Sequence, residues 1–182
     1  MITLTGSGRH YDVRRDFSES GFPRPPEAGY PLMTIYVDAD GCPVKDEVYR
    51  VARRYRLKVY LVSNSRMRIP HEELFELVIV NEQFNAADDW IAARVGNNDI
   101  VVSSDIPLAA RCLKKGARAL DSKGRVFTEE SIGDVLANRE LMAYLRDMGN
   151  ITGGPTPFDK RDRSRFLQRL DDVIQAAARA SS

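Results

Sequence analysis

The sequence predicts an α/β fold in which helices cover a mostly parallel central sheet of about five strands. The main observation is an alternation along the chain: short apolar runs rich in β-branched residues are followed by amphipathic segments of about 8 to 15 residues. Gly96-Asn97 and Gly116 stand where two of these segments are expected to end as helices. The 182 residues are enough to bury the core of one such domain.

The predicted elements follow one another in a regular order. Strands are predicted at residues 33–37, 58–62, within 74–80, at 99–103 and at 117–120. Helices are predicted at residues 44–55, 88–95, 107–115 and about 129–146, the last with Thr128 as its N-cap. Residues 122–124 are a predicted turn that leads into the short run at 125–127. A final amphipathic helix carries Phe166, Leu167, Leu170, Val173 and Ile174 on one face.

This pattern divides the chain into three segments. Residues 1–32 are expected to form a flexible N-terminal extension, because Pro23, Pro25 and Pro26 forbid a helix and favour an extended chain. Residues 33–150 form the predicted α/β domain. Residues 151–182 comprise a Gly/Pro loop and a C-terminal helix that packs on the domain or extends from it.

Composition excludes several classes of function. A net charge of +1 offers no overall basic field for nucleic acid, so any such surface has to be a local patch. Two cysteines and two histidines are too few for a disulfide framework or a Cys/His zinc site. No apolar run approaches the roughly 18 residues of a membrane span, and the N-terminus lacks the apolar core of a signal peptide. We therefore expect a cytoplasmic protein with reduced thiols and no membrane partner.

Acidic residues follow the ends of four predicted strands. Asp38 and Asp40 follow the first strand, Asp88 and Asp89 lie in the helical turn after the third, Asp105 follows the fourth, and Asp121 follows the fifth. In open parallel sheets, ligands collect beyond the carboxyl ends of the strands, so these carboxylates are expected to converge on one edge. If the chain stays extended after the first strand, Asp38 and Asp40 share a face.

This cluster of carboxylates indicates a divalent cation. Neighbouring carboxylates raise one another's pKa unless a cation neutralises them. A few carboxylates and several waters suit Mg²⁺ or Mn²⁺, whose chemistry includes phosphoryl transfer and phosphodiester hydrolysis. Structural roles stay open for each residue, because Asp105 is a suitable N-cap, Asp88 and Asp89 complement a helix dipole, and Asp121 suits a turn.

Polar and basic residues on the same predicted edge are candidates for substrate binding. They are Lys45, Ser63, Asn64, Ser104, Arg66 and Arg68. The lysine lies one turn into the first helix, where it can contact a phosphate, although a solvated lysine is equally ordinary. Cys42 stands beside the start of this helix, which favours a lowered thiol pKa, but without a partner cysteine it is better explained as a packed residue.

Several motifs together resemble one family of bacterial proteins. They are YVDADGCPVKDEV, LVSNS, NAADDWIA, DIVVSSDIPLAARCLKKGARALDSKGR and GGPTPF. Over essentially residues 33–170 they are similar to the uncharacterised bacterial YaiI/YqxD family, which looks like a branch of the PIN-like superfamily. The resemblance implies a three-layer αβα PIN-like domain. Nuclease members of that superfamily hold Mg²⁺ or Mn²⁺ with acidic residues at the ends of parallel strands.

By position, the resemblance makes Asp38 the first-strand metal ligand, Asp88 or Asp89 the acidic ligand at the helix start, and Asp105 the fourth-strand acid. The leading hypothesis is therefore a Mg²⁺- or Mn²⁺-dependent nuclease that hydrolyses RNA or another phosphodiester. Its catalytic residues would be Asp38, Asp40 and Asp105. Metal-activated water would be the nucleophile, and Asp40 would orient it or bind a second ion.

Two alternatives stay open. YVDADG is also similar to the first motif of haloacid-dehalogenase-type phosphatases, in which Asp38 would be the nucleophile of a phosphomonoesterase and Asp40 its acid/base. That family's last acidic motif follows a strand, whereas Asp99 precedes the apolar run IVVS and is expected at the opposite edge of the sheet. The third hypothesis is a non-catalytic module that binds nucleic acid or a protein through the same edge.

Overall fold

The computed structural model describes residues 33–148, except 82 and 84, and residues 157–180. The predicted N-terminal extension, residues 1–32, and most of the predicted Gly/Pro loop lie outside these residues. Within the described residues, no helix is both long enough and apolar enough to cross a membrane.

Strands and helices alternate as the sequence predicts. The strands are β1 (Thr34–Asp38), β2 (Lys58–Ser63), β3 (Phe75–Ile79), β4 (Ile100–Val102), β5 (Arg118–Leu120) and β6 (Val126–Phe127). The helices are α1 (Lys45–Tyr55), α2 (Ala86–Arg94), α3 (Ile106–Leu113), α4 (Glu129–Asp147) and α5 (Lys160–Ala180). The hydroxyl of Thr128 accepts a hydrogen bond from the backbone N–H of Ser131 at 3.1 Å, which confirms Thr128 as the cap of α4.

The six strands of the described residues belong to one sheet, in the order β3-β2-β1-β4-β5-β6. Neighbours from β3 to β5 pair in parallel, and β6 pairs with β5 in the antiparallel sense. The predicted mostly parallel sheet is confirmed, and it gains a sixth strand because the short run after residue 124 joins its edge. Helices cover both faces, which gives the expected three layers.

The strand order determines which face each helix covers. From the centre, the chain moves outwards from β1 to β2 on one side and from β4 to β5 on the other. Right-handed crossovers therefore place α1 and α3 on opposite faces. One apolar core lies beneath α1 and α5 and includes Val48 and Phe166. The other lies beneath α2, α3 and α4 and includes Ile91 and Leu108.

Asp121 organises the turn between β5 and β6. Its Oδ1 accepts hydrogen bonds from the backbone N–H groups of Lys123 and Arg125, both at 2.9 Å, which confirms the turn interpretation of this residue. Gly124 in the same turn has a φ of +80°, and a Cβ there would lie 3.1 Å from the backbone of Arg165 in α5. Glycine at this position therefore allows α5 to pack directly against the hairpin.

The C-terminal helix also packs against α1. Phe166 is fully buried in the core that the two helices share. Nη1 of Arg163 donates hydrogen bonds to the carbonyl oxygen of Pro43 at 2.9 Å and to the carboxylate of Glu47 at 3.0 Å. Helix α5 is thereby joined to the segment that connects β1 with α1, which is also the segment that carries Asp40.

Candidate functional site

The strand order reverses between β1 and β4, and open parallel sheets bind ligands in a crevice at the carboxyl edge of such a point. The loops that follow these two strands turn to opposite faces, so a ligand can enter between them. β1 ends there at Asp38, and Ser103 follows the end of β4. A site at this position is built from the loops after β1 and β4 and from the helix starts beside them.

Asp38 is partly buried at the end of β1. The hydroxyl of Ser103 donates a hydrogen bond to its Oδ2 at 2.9 Å, across the two neighbouring strands. Burial raises the pKa of Asp38, the carboxylates of Asp40 and Asp105 raise it further, and the hydrogen bond from Ser103 opposes this shift. Asp38 is therefore held in one orientation while its charge faces other negative charges.

Asp88 and Asp105 approach Asp38 from two helix starts. Asp88 lies in the first turn of α2 and forms no hydrogen bond or ion pair through its side chain with the described residues. Burial, followed by the charges of Asp105 and Asp38, raises the pKa of Asp88 from 3.8 to about 6.

The Oδ1 of Asp105 accepts a hydrogen bond from the backbone N–H of Leu108 at 2.8 Å, which confirms Asp105 as the N-cap of α3. Its Oδ2 has no hydrogen-bond partner within the described residues.

The second acidic residue of this turn, Asp89, has a different environment. Its Oδ1 lies 2.7 Å from Nη2 of Arg111 in α3, and both side chains are exposed. Of the groups that act on the pKa of Asp88, Asp89 has the smallest effect. The sequence did not distinguish Asp88 from Asp89 as the residue that faces the site. The structure favours Asp88, because Asp38 and Asp105 act on its pKa while Asp89 pairs with Arg111.

Asp40 is bound to the neighbouring loop. It lies in the turn after β1, and its two carboxylate oxygens accept hydrogen bonds from the hydroxyl of Ser63 at 2.6 Å and from the backbone N–H of Asn64 at 2.9 Å. Ser63 is completely buried at the end of β2. Asp40 therefore connects the loops after β1 and β2, and its charge acts on Asp38.

The other predicted substrate-binding residues are spread along the same edge. Nζ of Lys45 donates a hydrogen bond to the carbonyl oxygen of Ala39 at 3.2 Å. Ser104 is exposed immediately before α3. Arg66 and Arg68 are exposed in the loop after β2, and neither forms an ion pair with the residues that the structure describes.

A polar pocket that the sequence does not predict adjoins the carboxylates. It has a volume of about 170 Å³ and is bordered by Asp40 and Asp88. Four residues with side-chain amides line it, namely Asn64, Asn81, Gln83 and Asn85. Of these four residues, only Asn64 was predicted to lie at the site. The concentration of amides in NEQFNA, between a strand and a helix at this edge, was the signal for the other three.

The described residues contain no preformed cage for a cation. No three acidic, histidine or cysteine side chains among them lie close enough together to hold a metal ion as they stand. Mg²⁺ retains several waters and uses only one or two protein carboxylates in many sites, so its binding does not require such a cage. The donors that Asp38, Asp88 and Asp105 offer are all carboxylate oxygens, which suit Mg²⁺ or Mn²⁺.

Two residues that the sequence offered for other mechanisms have structural roles. Asp99 lies at the opposite edge of the sheet, where its carboxylate accepts hydrogen bonds from the backbone N–H groups of Thr34 at 2.9 Å and Gly96 at 2.8 Å. Cys42 packs against the core beneath α1, and burial raises the pKa of its thiol. The interpretation of Cys42 as a packed residue is confirmed.

Comparison with known proteins finds relatives that span most of this chain. Residues 36–176 match the family described as "Uncharacterized BCR, YaiI/YqxD family". A UPF0178 protein of Rhodopseudomonas palustris is 56% identical over 148 residues, which cover 81% of this chain and 94% of that protein. UPF0178 proteins of Rhodospirillum centenum and Rhodospirillum rubrum are 53% and 51% identical, each over 81% of this chain and 99% of the relative. No solved structure matches the chain. With a family match over residues 36–176 and relatives more than 50% identical, the chain belongs to the uncharacterised YaiI/YqxD family of bacterial proteins.

Proposed function

We propose that this protein is a PIN-like, Mg²⁺- or Mn²⁺-dependent nuclease that hydrolyses RNA or another phosphodiester at Asp38, Asp88 and Asp105. One observation carries the proposal: these carboxylates come from three separate elements, and none forms an ion pair within the described residues. Their proximity contributes to the raised pKa of Asp38 and of Asp88. Such repulsion disfavours the folded state, and a divalent cation shared between the carboxylates would remove it.

The residues of the cluster have distinct tasks in this proposal. Asp38, Asp88 and Asp105 hold the cation directly or through its waters. Ser103 keeps Asp38 in the required orientation through its 2.9 Å hydrogen bond. The free Oδ2 of Asp105 remains available while Oδ1 caps α3. When bound, the cation neutralises charge on the phosphate and lowers the pKa of water, which supplies the nucleophile for hydrolysis.

Residues around the cluster serve the substrate. Arg66 and Arg68 are exposed cations that can pair with the phosphates of a polynucleotide. Lys45, beside the turn that carries Asp40, adds positive charge on the same edge. Asp40 acts by position, because its hydrogen bonds hold the end of β2 and the start of the following loop next to the cluster.

A phosphomonoesterase mechanism fits these contacts less well. It requires Asp40 as a mobile acid/base two residues after a nucleophilic Asp38, but both oxygens of Asp40 accept hydrogen bonds from Ser63 and Asn64. Asp99, the acidic residue that precedes the fourth strand, is bound to backbone at the opposite edge. A non-catalytic binding module gives no reason for unpaired carboxylates to face one another.

The test compares the wild-type protein with Asp38→Asn, Asp88→Asn and Asp105→Asn. Each protein is incubated with Mn²⁺ and labelled RNA, labelled DNA or a small phosphomonoester. Asp89→Asn is the matched control, because it changes the same residue type one position along the chain, where the side chain pairs with Arg111 instead of facing the cluster.

The proposal expects Mn²⁺-dependent cleavage of a polynucleotide that the three cluster variants lose and Asp89→Asn retains. Turnover of the phosphomonoester, with an acyl-phosphate trapped on Asp38, would replace the nuclease with a phosphatase. Polynucleotide binding that is independent of Mn²⁺ and is never followed by cleavage would replace it with the binding module.

A further inference from the structure

The pocket beside the carboxylates differs from them in its chemistry. Asn64, Asn81, Gln83 and Asn85 border it, and none of their side-chain amides has a hydrogen-bond partner within the described residues. Each amide presents both a donor and an acceptor. The pocket therefore offers hydrogen-bonding groups of both kinds, side by side, to a polar ligand.

Apolar surface completes the pocket. Val80, which follows β3, and Ala86 and Ala87 in the first turn of α2 are the apolar residues that line it. The small alanine side chains leave room for a flat group to pack against the helix start. The volume of about 170 Å³ is well below the roughly 300–1,000 Å³ of pockets that hold drug-sized ligands. A single planar group such as a nucleobase fits this size better than an entire nucleotide.

The charge of the lining excludes a phosphate from the pocket itself. Among the described residues that line it, none is an arginine or lysine, and the charged ones are Asp40 and Asp88. These carboxylates repel a phosphate but not a neutral base. Asp88 also faces Asp38 and Asp105 of the proposed cation site. The pocket therefore suits the base of a nucleotide, and the neighbouring carboxylates suit its phosphate once the proposed cation is bound between them.

We propose that this pocket binds one unpaired nucleobase of the substrate, adenine in particular, next to the phosphodiester that is cleaved. The inference rests on the proposed function for its substrate class and adds the feature of the substrate that is recognised. Side-chain amides of Asn and Gln pair with N6 and N7 of adenine, whereas the two acceptors of guanine are matched by Arg or Lys. The amino group of cytosine is matched by a free carboxylate, but the oxygens of Asp40 are already bonded and Asp88 is assigned to the cation.

Neutral nucleosides test the pocket without metal and without cleavage. Adenosine, guanosine, cytidine and uridine are each titrated into the metal-free full-length protein, and binding is followed by NMR through the side-chain amide signals. Nucleosides carry no phosphate, so the carboxylates do not oppose their binding. Adenosine is expected to bind about fivefold more tightly than the other three, which is the lower end of the discrimination that one bidentate amide–base pair provides.

Two variants locate the binding. Asn81→Ala and Gln83→Ala are each expected to weaken adenosine binding by about fivefold. Gln168→Ala removes an exposed amide of α5 and serves as the matched control, with unchanged binding expected. The backbone NMR spectrum of each variant shows whether it is folded, and two independent variants keep the result interpretable if one of them is not.

The outcomes separate this inference from the proposed function. Preferential binding of adenosine that depends on Asn81 and Gln83 supports the base pocket, whether or not the protein cleaves a polynucleotide with Mn²⁺. Equal affinity for all four nucleosides, or no binding at these residues, overturns the inference. Mn²⁺-dependent cleavage in that case would leave the nuclease proposal standing.

Discussion

Aspartates stand at both ends of the parallel strands, but their surroundings differ. At the amino edge, the carboxylate of Asp99 accepts hydrogen bonds from two backbone N–H groups, those of Thr34 and Gly96. At the carboxyl edge, the charges of Asp40 and Asp105 act on Asp38, and the charges of Asp105 and Asp38 act on Asp88. Both edges therefore contain partly buried carboxylates, and those of Asp38 and Asp88 differ from that of Asp99 because other carboxylates lie near them. At the carboxyl edge, Asp40 resembles Asp99 instead, since both of its oxygens accept hydrogen bonds.

The difference indicates which aspartates stabilise the fold. A carboxylate that accepts two backbone hydrogen bonds joins segments of the chain and contributes to stability. Carboxylates that face one another reduce stability unless a cation is bound. Unfavourable local arrangements of this kind are typical of functional sites, where the rest of the fold compensates for them. The comparison can be tested by changing one residue at a time on each edge.

The largest expected effect is on activity, from Asp38→Asn. This change removes a charge that the proposed cation requires but keeps the shape of the side chain and the hydrogen bond with Ser103. Mn²⁺-dependent cleavage is expected to fall by about 100-fold or more, since even residues that only support metal ligands change activity by about 10–100-fold. Initial rates on labelled RNA measure the effect. Equal loss of activity in a folded Asp99→Asn variant would remove the distinction between the two edges.

A change at the amino edge is expected to affect stability instead. Asp99→Ala leaves the backbone N–H groups of Thr34 and Gly96 without their acceptor, at a cost of about 2 kcal/mol. Urea denaturation measures the loss in free energy of unfolding. Mn²⁺ affinity should stay as in the wild type, and a matching loss of Mn²⁺ affinity in the folded variant would contradict the structural role of Asp99.

Removal of the support for Asp38 is expected to have an intermediate effect. Ser103→Ala deletes the hydroxyl that orients the carboxylate, and affinity for Mn²⁺ is expected to fall by about tenfold. Isothermal titration calorimetry of the two proteins gives the comparison. Ser104→Ala changes the exposed neighbour and should have no such effect, so equal losses in both variants would argue against a specific role for Ser103.

The smallest expected effect is a gain of stability in the metal-free protein from Asp88→Asn. Folding raises the pKa of Asp88 from 3.8 to about 6, so the folded protein holds this proton more tightly than the unfolded chain does. Protonation of Asp88 therefore stabilises the folded protein. This contribution is complete below about pH 4 and is lost as the pH rises through about 6. With allowance for solvent screening of this partly exposed group, the loss is about 1 kcal/mol at pH 7.

Thermal unfolding at several pH values, in the presence of a chelator, measures this difference. The advantage of Asp88→Asn over the wild type should grow between pH 4 and pH 7, and Mn²⁺ should reduce it by stabilising the wild type alone. A constant difference across the pH range would show that Asp88 carries no unfavourable charge in the folded protein.

Local signals in the sequence were sufficient for most of the fold. The alternation of apolar runs and helical segments predicted the strands and the first four helices, and Thr128 indicated the start of α4. β6 was not recognised as part of the sheet because a strand of two residues has no periodicity of its own. It forms because the Asp121 turn directs the chain back along β5.

The sequence predicted only those parts of the candidate site whose position follows from the topology of the sheet alone. The rule that ligands collect at the carboxyl edge correctly brought Asp38 and Asp105 together and separated them from Asp99. The choice between Asp88 and Asp89 depends on the rotation of α2, which packing against α3 and the ion pair with Arg111 define. Asn81, Gln83 and Asn85 were not predicted as site residues, because asparagine and glutamine are common in loops. Only the structure shows that these residues line one pocket.

The hydrogen bond between Arg163 and Pro43 joins residues that are 120 positions apart in the chain. During synthesis, the turn that follows β1 leaves the ribosome long before α5 does, and contacts between distant residues form late in folding. The segment that carries Asp40 therefore lacks its support from α5 until that helix has been translated. A nascent chain has all the carboxylates of the crevice well before it has the packing that holds them in place.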